Sequence, residues 1–105
     1  MEEQVVIVHV RLQGGPFGSR DERKAIQALE DQIMLAVKEL SAGKVDGHEL
    51  GFGEYVLFMH GADADRVYEV IKPFLKATPA AAGGYAVKRY GKTDDLSSSE
   101  ARVIW

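Results

Sequence analysis

The chain contains no cysteine among its 105 residues. This absence excludes disulfides, thiolate nucleophiles, zinc sites with cysteine ligands and iron–sulfur clusters. It is also typical of proteins from a reducing compartment, so we expect a cytoplasmic location. No apolar run approaches the roughly 20 residues that a helix needs to cross a bilayer. The acidic start at Glu2 and Glu3 is unlike the basic region of a signal peptide. We therefore expect no membrane partner.

An excess of positive charge is also missing. The 13 Lys and Arg residues are outnumbered by 16 Asp and Glu residues, which gives a net charge of −3, and the basic residues are scattered along the chain. A nucleic-acid-binding surface needs a basic patch, and the consensus that RNA-recognition motifs carry on a strand is absent. We therefore expect no nucleic acid partner.

The apolar residues fall into six segments that read in turn as strands or helices. Hydrophobic residues make up 46% of the chain, which is enough for one buried core in a single domain over residues 1–105. The segments follow the order strand, helix, strand, strand, helix, strand. They cover residues 5–12, 20–41, 44–50, 54–60, 61–75 and 84–90. This is the split βαβ order of the ferredoxin-like fold. We predict an α+β, ferredoxin-like two-layer sandwich, with an antiparallel sheet of four or five strands and two helices on one face.

The first strand segment separates into two different faces, because successive side chains point to opposite sides of a sheet. The face that we predict to belong to the core is uniformly apolar and consists of Val6, Val8, Val10 and Leu12. The other face begins apolar, with Val5 and Ile7, and turns polar, with His9 and Arg11. If helices cover only one face, Val5 and Ile7 are exposed, and exposed apolar residues on a sheet indicate a partner or a dimer contact. The segment 54–60 is apolar on both faces, which is typical of a strand inside a sheet, and its core face stays undecided.

The C-terminal part changes character after residue 91. Residues 92–99 are polar and predict a mobile loop. Residues 100–105 alternate between polar and apolar types and end in Trp105, an apolar side chain that we expect to be buried. We predict an extra strand or a docked tail here, with Trp105 docked either within the chain or across a dimer.

One cluster of polar residues is a candidate ligand site. We expect strands one and three to be parallel neighbours, which would bring His9 and Arg11 at the end of one strand close to His60 at the end of the other. Two histidines could bind a metal or transfer protons, and Glu49 could complete such a site. However, no metal-binding histidine spacing is present, so ordinary strand-end polar residues are the interpretation that we favour. We expect no metal and no cofactor.

Two glycine-rich loops are further candidates. Residues 14–20 lie before a helix, where free backbone donors could hold an anion. Ser19 and Glu22 stand at the spacing of a capping box, and a capped connector explains this loop better. Residues 46–54 contain three glycines and could form a binding loop, although a β-hairpin with bulges explains the same pattern and is favoured.

Three segments carry a resemblance to known proteins. They read DGHELGFGEY over residues 46–55, GADAD over residues 61–65 and GYAVKRYG over residues 84–91. Together they resemble a set of small uncharacterised bacterial proteins of ferredoxin-like plan. These proteins have no established activity, so the resemblance implies no catalytic residue. The predicted plan is also similar to that of ACT-type regulatory domains and of some small immunity proteins that block toxins.

Two hypotheses for the function follow. The first is a non-enzymatic binding or interaction protein that forms a homodimer through Val5 and Ile7 or through Trp105, with a regulatory or immunity-like role as one version. The alternative is a small enzyme or ligand sensor with a site at one end of the sheet, built from His9, Arg11, Glu49 and His60.

Overall fold

The computed structural model describes residues 3–91 and 99–105. These residues form an α+β structure with five strands and two α-helices. The elements are β1 (Gln4–Arg11), α1 (Arg20–Glu39), β2 (Lys44–Gly51), β3 (Glu54–Gly61), α2 (Ala64–Lys76), a short 3-10 helix (Pro79–Ala81), β4 (Tyr85–Arg89) and β5 (Glu100–Val103). The loop predicted over residues 92–99 lies outside the described residues, apart from Ser99.

The five strands form one antiparallel sheet in the order β2-β3-β1-β4-β5. β3 lies between β2 and β1, as its apolar faces predicted. The expectation that strands one and three are parallel is wrong, because Val5 lies opposite His60 and Arg11 lies opposite Glu54. The physical reason is the path of the chain. The crossover through α1 makes β2 run in the same direction as β1, and the tight turn after β2 reverses the chain before it enters β3.

Both helices pack on one side of the sheet and enclose the core with it. α1 and α2 contribute their apolar stripes, and every second residue of the central strands faces them. On β3 the core face carries Tyr55, Leu57 and Met59. The opposite side of the sheet, which we call the open face, carries alternating residues of all five strands. These are Val5, Ile7, His9 and Arg11 of β1, Lys44, Asp46 and Glu49 of β2, Glu54, Val56, Phe58 and His60 of β3, Tyr85, Val87 and Arg89 of β4, and Glu100 and Arg102 of β5.

The end of the chain packs against its own core. β5 pairs with β4, and the indole N–H of Trp105 donates a hydrogen bond to the carbonyl of Ala81 at 3.2 Å. A Cβ added at Gly84 would lie 2.4 Å from the carbonyl oxygen of His9 and 2.8 Å from the Trp105 ring. Only a glycine leaves room for both neighbours at this position. Trp105 therefore contacts the helix side of the sheet and not the open face.

No helix among residues 3–91 and 99–105 is long and apolar enough to cross a membrane.

Candidate functional site

The centre of the open face is apolar across three neighbouring strands. Ile7 lies directly opposite Phe58 on one side and opposite Val87 on the other. Val5 and Val56 extend this group along β1 and β3. All five side chains are only partly buried in the monomer. A contiguous, partly exposed apolar group in the middle of a sheet is typical of a surface that contacts another molecule.

Charged residues surround this apolar centre in pairs. His60 lies 2.7 Å from Asp46 at the β2 side of the face. At the opposite side, Arg89 on β4 forms an ion pair with Glu100 on β5 at 2.9 Å. An apolar centre with a polar rim is the usual arrangement of a protein–protein contact.

His9 takes part in a stack of three side chains on the open face. Its imidazole lies 4.5 Å from the Tyr85 ring with an angle of 11° between the planes. The guanidinium of Arg102 lies over Tyr85 at 3.7 Å from the ring centre. The Nδ1 atom of His9 is 3.4 Å from a carboxylate oxygen of Glu54. Stacking therefore holds the His9 ring in place. Its Nδ1 atom is buried and makes no hydrogen bond within the described residues.

The structure does not bring the predicted ligand residues together. His9 lies opposite Val56, whereas His60 lies opposite Val5, four residues further along the ladder. At about 3.3 Å per residue this separates the two histidines by roughly 13 Å along the strands. Glu49 also lies opposite Val56, in the row of His9 and away from His60.

A cluster that the sequence analysis missed lies on the helix side, beside β2. The carboxylate of Glu30 on α1 is buried and accepts a hydrogen bond from the Tyr55 hydroxyl. His48 Nδ1 lies 2.8 Å from the same carboxylate, and the His48 and Tyr55 rings stack at 5.0 Å. The only sequence signal was a glutamate on the apolar stripe of the first helix, because its two partners come from other elements.

A second cluster on the helix side connects α2 to β4. Lys88 lies 2.8 Å from an Asp65 oxygen, to which the Tyr90 hydroxyl also donates a hydrogen bond at 2.6 Å. The hydrogen bond from Lys88 lowers the pKa of Asp65, and the same bond raises the pKa of Lys88. Burial raises the pKa of the neighbouring Tyr68 hydroxyl. Lys88 and Tyr68 therefore keep their protons at neutral pH.

The loop over residues 14–20 has its backbone donors occupied by a side chain of the same chain. The Glu22 carboxylate accepts hydrogen bonds from the backbone N–H groups of Gln13 at 2.7 Å, Gly14 at 2.6 Å and Ser19 at 2.9 Å. The Ser19 hydroxyl accepts one from the Glu22 N–H, which completes the predicted capping box. These donors lower the pKa of Glu22, with the Gln13 N–H as the largest cause. An external anion would have to displace this carboxylate.

Within the part of the chain that the structure describes, no group of three or more His, Asp or Glu side chains has a geometry that could hold a metal ion. No family model, curated protein or solved structure matches this chain.

Proposed function

We propose that this chain is a non-enzymatic interaction protein that forms a homodimer through the open face of its sheet. The observation that carries the proposal is the apolar centre formed by Ile7, Phe58 and Val87 on three adjacent strands. When a second surface removes these partly exposed apolar side chains from water, the free energy of the complex is lowered.

The size of the face supports a stable contact. The five strands contain 8, 8, 8, 5 and 4 residues, and at about 4.8 Å between strands and 3.3 Å per residue they span a flat area of roughly 500 Å². Because the side chains project from this plane, the accessible area is larger than the flat area. One partner in a standard protein–protein interface buries ~800 Å², which is the same order. A second copy of the same face therefore offers a sufficient contact.

The ferredoxin-like fold is part of the same proposal. The first six main elements follow the order βαββαβ, and β5 adds a strand beyond β4. We interpret this as the ferredoxin-like plan extended by one edge strand. A regulatory or immunity-like role is compatible with an interaction face of this kind, and the resemblance to small bacterial proteins stays a prediction.

The alternative, a small enzyme or ligand sensor, receives less support from the geometry. Its four residues do not converge, since His60 lies at the other end of the ladder from Arg11. His9 and His60 each have a carboxylate neighbour of their own, Glu54 and Asp46 respectively. This pairing is more typical of two separate structural contacts than of one shared ligand site.

The solution mass tests the proposal. We expect light scattering after gel filtration to give twice the chain mass of 11.5 kDa for the wild type. Ile7→Lys should give the monomer mass, because it places a charge in the centre of the contact, and Val5→Lys should weaken the dimer in the same way. Leu35→Lys is the matched control, since Leu35 is 57% exposed on α1 and lies outside the open face.

Circular dichroism and thermal melting must show that each variant is folded. A dimer that survives both Val5→Lys and Ile7→Lys would show that the open face is not the contact. A wild type that stays monomeric at high concentration would overturn the homodimer itself.

A further inference from the structure

Charge is distributed unevenly across the open face. The half formed by β2 and β3 carries three carboxylates, on Asp46, Glu49 and Glu54, and one lysine, Lys44. The half formed by β4 and β5 carries two guanidinium groups and one carboxylate, namely Arg89, Arg102 and Glu100. One side of the apolar centre is therefore acidic and the other is basic.

This asymmetry distinguishes the two simple ways to place one open face on another. A homodimer contact is built from the same surface on both copies, related by a two-fold axis. An axis perpendicular to the strands places each strand over its own copy, so that the acidic half meets the acidic half. An axis parallel to the strands places β2 of one copy over β5 of the other, so that the acidic half meets the basic half.

We infer that the two-fold axis of the homodimer runs parallel to β1, with Glu49 of each copy facing the partner's Arg102. This inference rests on the proposed function and adds the arrangement of the two copies. Complementary charge sets the orientation and register of an interface more than its affinity. The apolar centre then supplies the attraction, and the two halves of the rim select one way to pair.

The position of the Arg102 guanidinium supports this register. Glu49, Val56, His9 and Tyr85 lie in one row across four strands. Arg102 itself pairs with Val87 in the next row, but its guanidinium leans over the Tyr85 ring at 3.7 Å and so enters the row of Glu49. Rotation about an axis along β1 keeps each row over itself. The carboxylate of one copy and the guanidinium of the other then meet twice, once on each side.

Two arginines approach each other at the central strand. Arg11 lies on β1, close to the proposed axis, and faces the partner's Arg11. Glu54 lies directly opposite Arg11 on the neighbouring strand and offsets this repulsion. The arrangement therefore keeps a compensating charge where the axis brings two cations together.

Exchanged charges test the inference. Glu49→Arg alone and Arg102→Glu alone should each weaken the homodimer by about tenfold or more, because each places like charges opposite each other. An equimolar mixture of the two single variants should form heterodimers almost exclusively, since only the mixed pair restores opposite charges on both sides. Native mass spectrometry, with one variant isotopically labelled, measures the ratio of mixed to self-paired dimers.

The control is Glu69→Arg, which makes the same charge change at an exposed position of α2, away from the open face. It should leave the dimer unchanged and mix with the wild type in statistical proportion. The double variant with both exchanges should dimerise like the wild type.

The possible results separate the inference from the proposed function. If Ile7→Lys produces monomers but the mixture shows no preference for heterodimers, the open face is the contact and the axis is wrong. If the single variants dimerise as tightly as the wild type, the pairing of Glu49 with the partner's Arg102 is wrong. A wild type that is monomeric overturns both and leaves the face to a different protein.

Discussion

His48 on β2 and Glu30 on α1 are joined through an imidazole–carboxylate contact of 2.8 Å. The carboxylate is buried, and it also accepts the hydrogen bond of the buried Tyr55 hydroxyl. This contact links the edge strand β2 to α1 and stabilises their packing. A buried carboxylate is tolerated only when donors of this kind surround it, so the pair is a structural requirement of this edge.

Glu30→Ala should lower the free energy of unfolding by about 2 kcal/mol, because it leaves the Tyr55 hydroxyl buried without an acceptor. Glu30→Gln keeps an acceptor for that hydroxyl and should cost less. Urea denaturation of both variants, combined with Tyr55→Phe in a double-mutant cycle, measures the coupling. Additive effects of Glu30→Ala and Tyr55→Phe would show that the two side chains do not depend on each other.

The capping carboxylate of Glu22 makes stability depend on acid pH. Its pKa is lowered in the folded state by the backbone N–H of Gln13 first and by those of Ser19 and Gly14. A lowered pKa means that the ionised group stabilises the fold above the ordinary pKa of a glutamate. This contribution is lost as the pH falls through the lowered value.

We therefore expect the wild type to melt at a higher temperature than Glu22→Gln at neutral pH, and the difference to disappear in strong acid. Melting curves of both proteins over a series of pH values give the result. Glu69→Gln is the matched control, since it makes the same change at an exposed position of α2. A difference between wild type and Glu22→Gln that stays constant with pH would contradict this origin.

Phe52 occupies an unfavourable backbone conformation without any packing in return. Its φ is +55°, that of Gly53 is +79°, and its side chain is fully exposed in the two-residue turn between β2 and β3. Two central residues with positive φ are typical of a hairpin turn that prefers Asn-Gly. Phe52→Asn should therefore raise the free energy of unfolding by about 1 kcal/mol.

Thermal melting measures the effect of this change. Phe52→Ala is the control, since it removes the exposed ring but keeps a Cβ in the same conformation. It should give little or no gain. An equal gain in both variants would assign the effect to the exposed ring and not to the backbone.

The local patterns of the sequence determined the order of the elements and the two faces of β1. The alternation from Val5 to Arg11 predicted which side of β1 is buried, and Ser19 with Glu22 predicted the start of α1. These features depend on residues close together in the chain, for which side-chain period and capping chemistry are sufficient.

Only the tertiary structure decided which polar groups meet. The antiparallel pairing of β1 with β3 separates His9 from His60, and it follows from a crossover and a turn that act together over about fifty residues. Glu30, His48 and Tyr55 come from three elements, and Trp105 contacts Ala81 and Gly84, which lie more than 20 residues earlier in the chain. Periodicity records only whether a position faces inward or outward. The partner that a side chain meets there depends on strand order and register, which are set by packing of the whole chain.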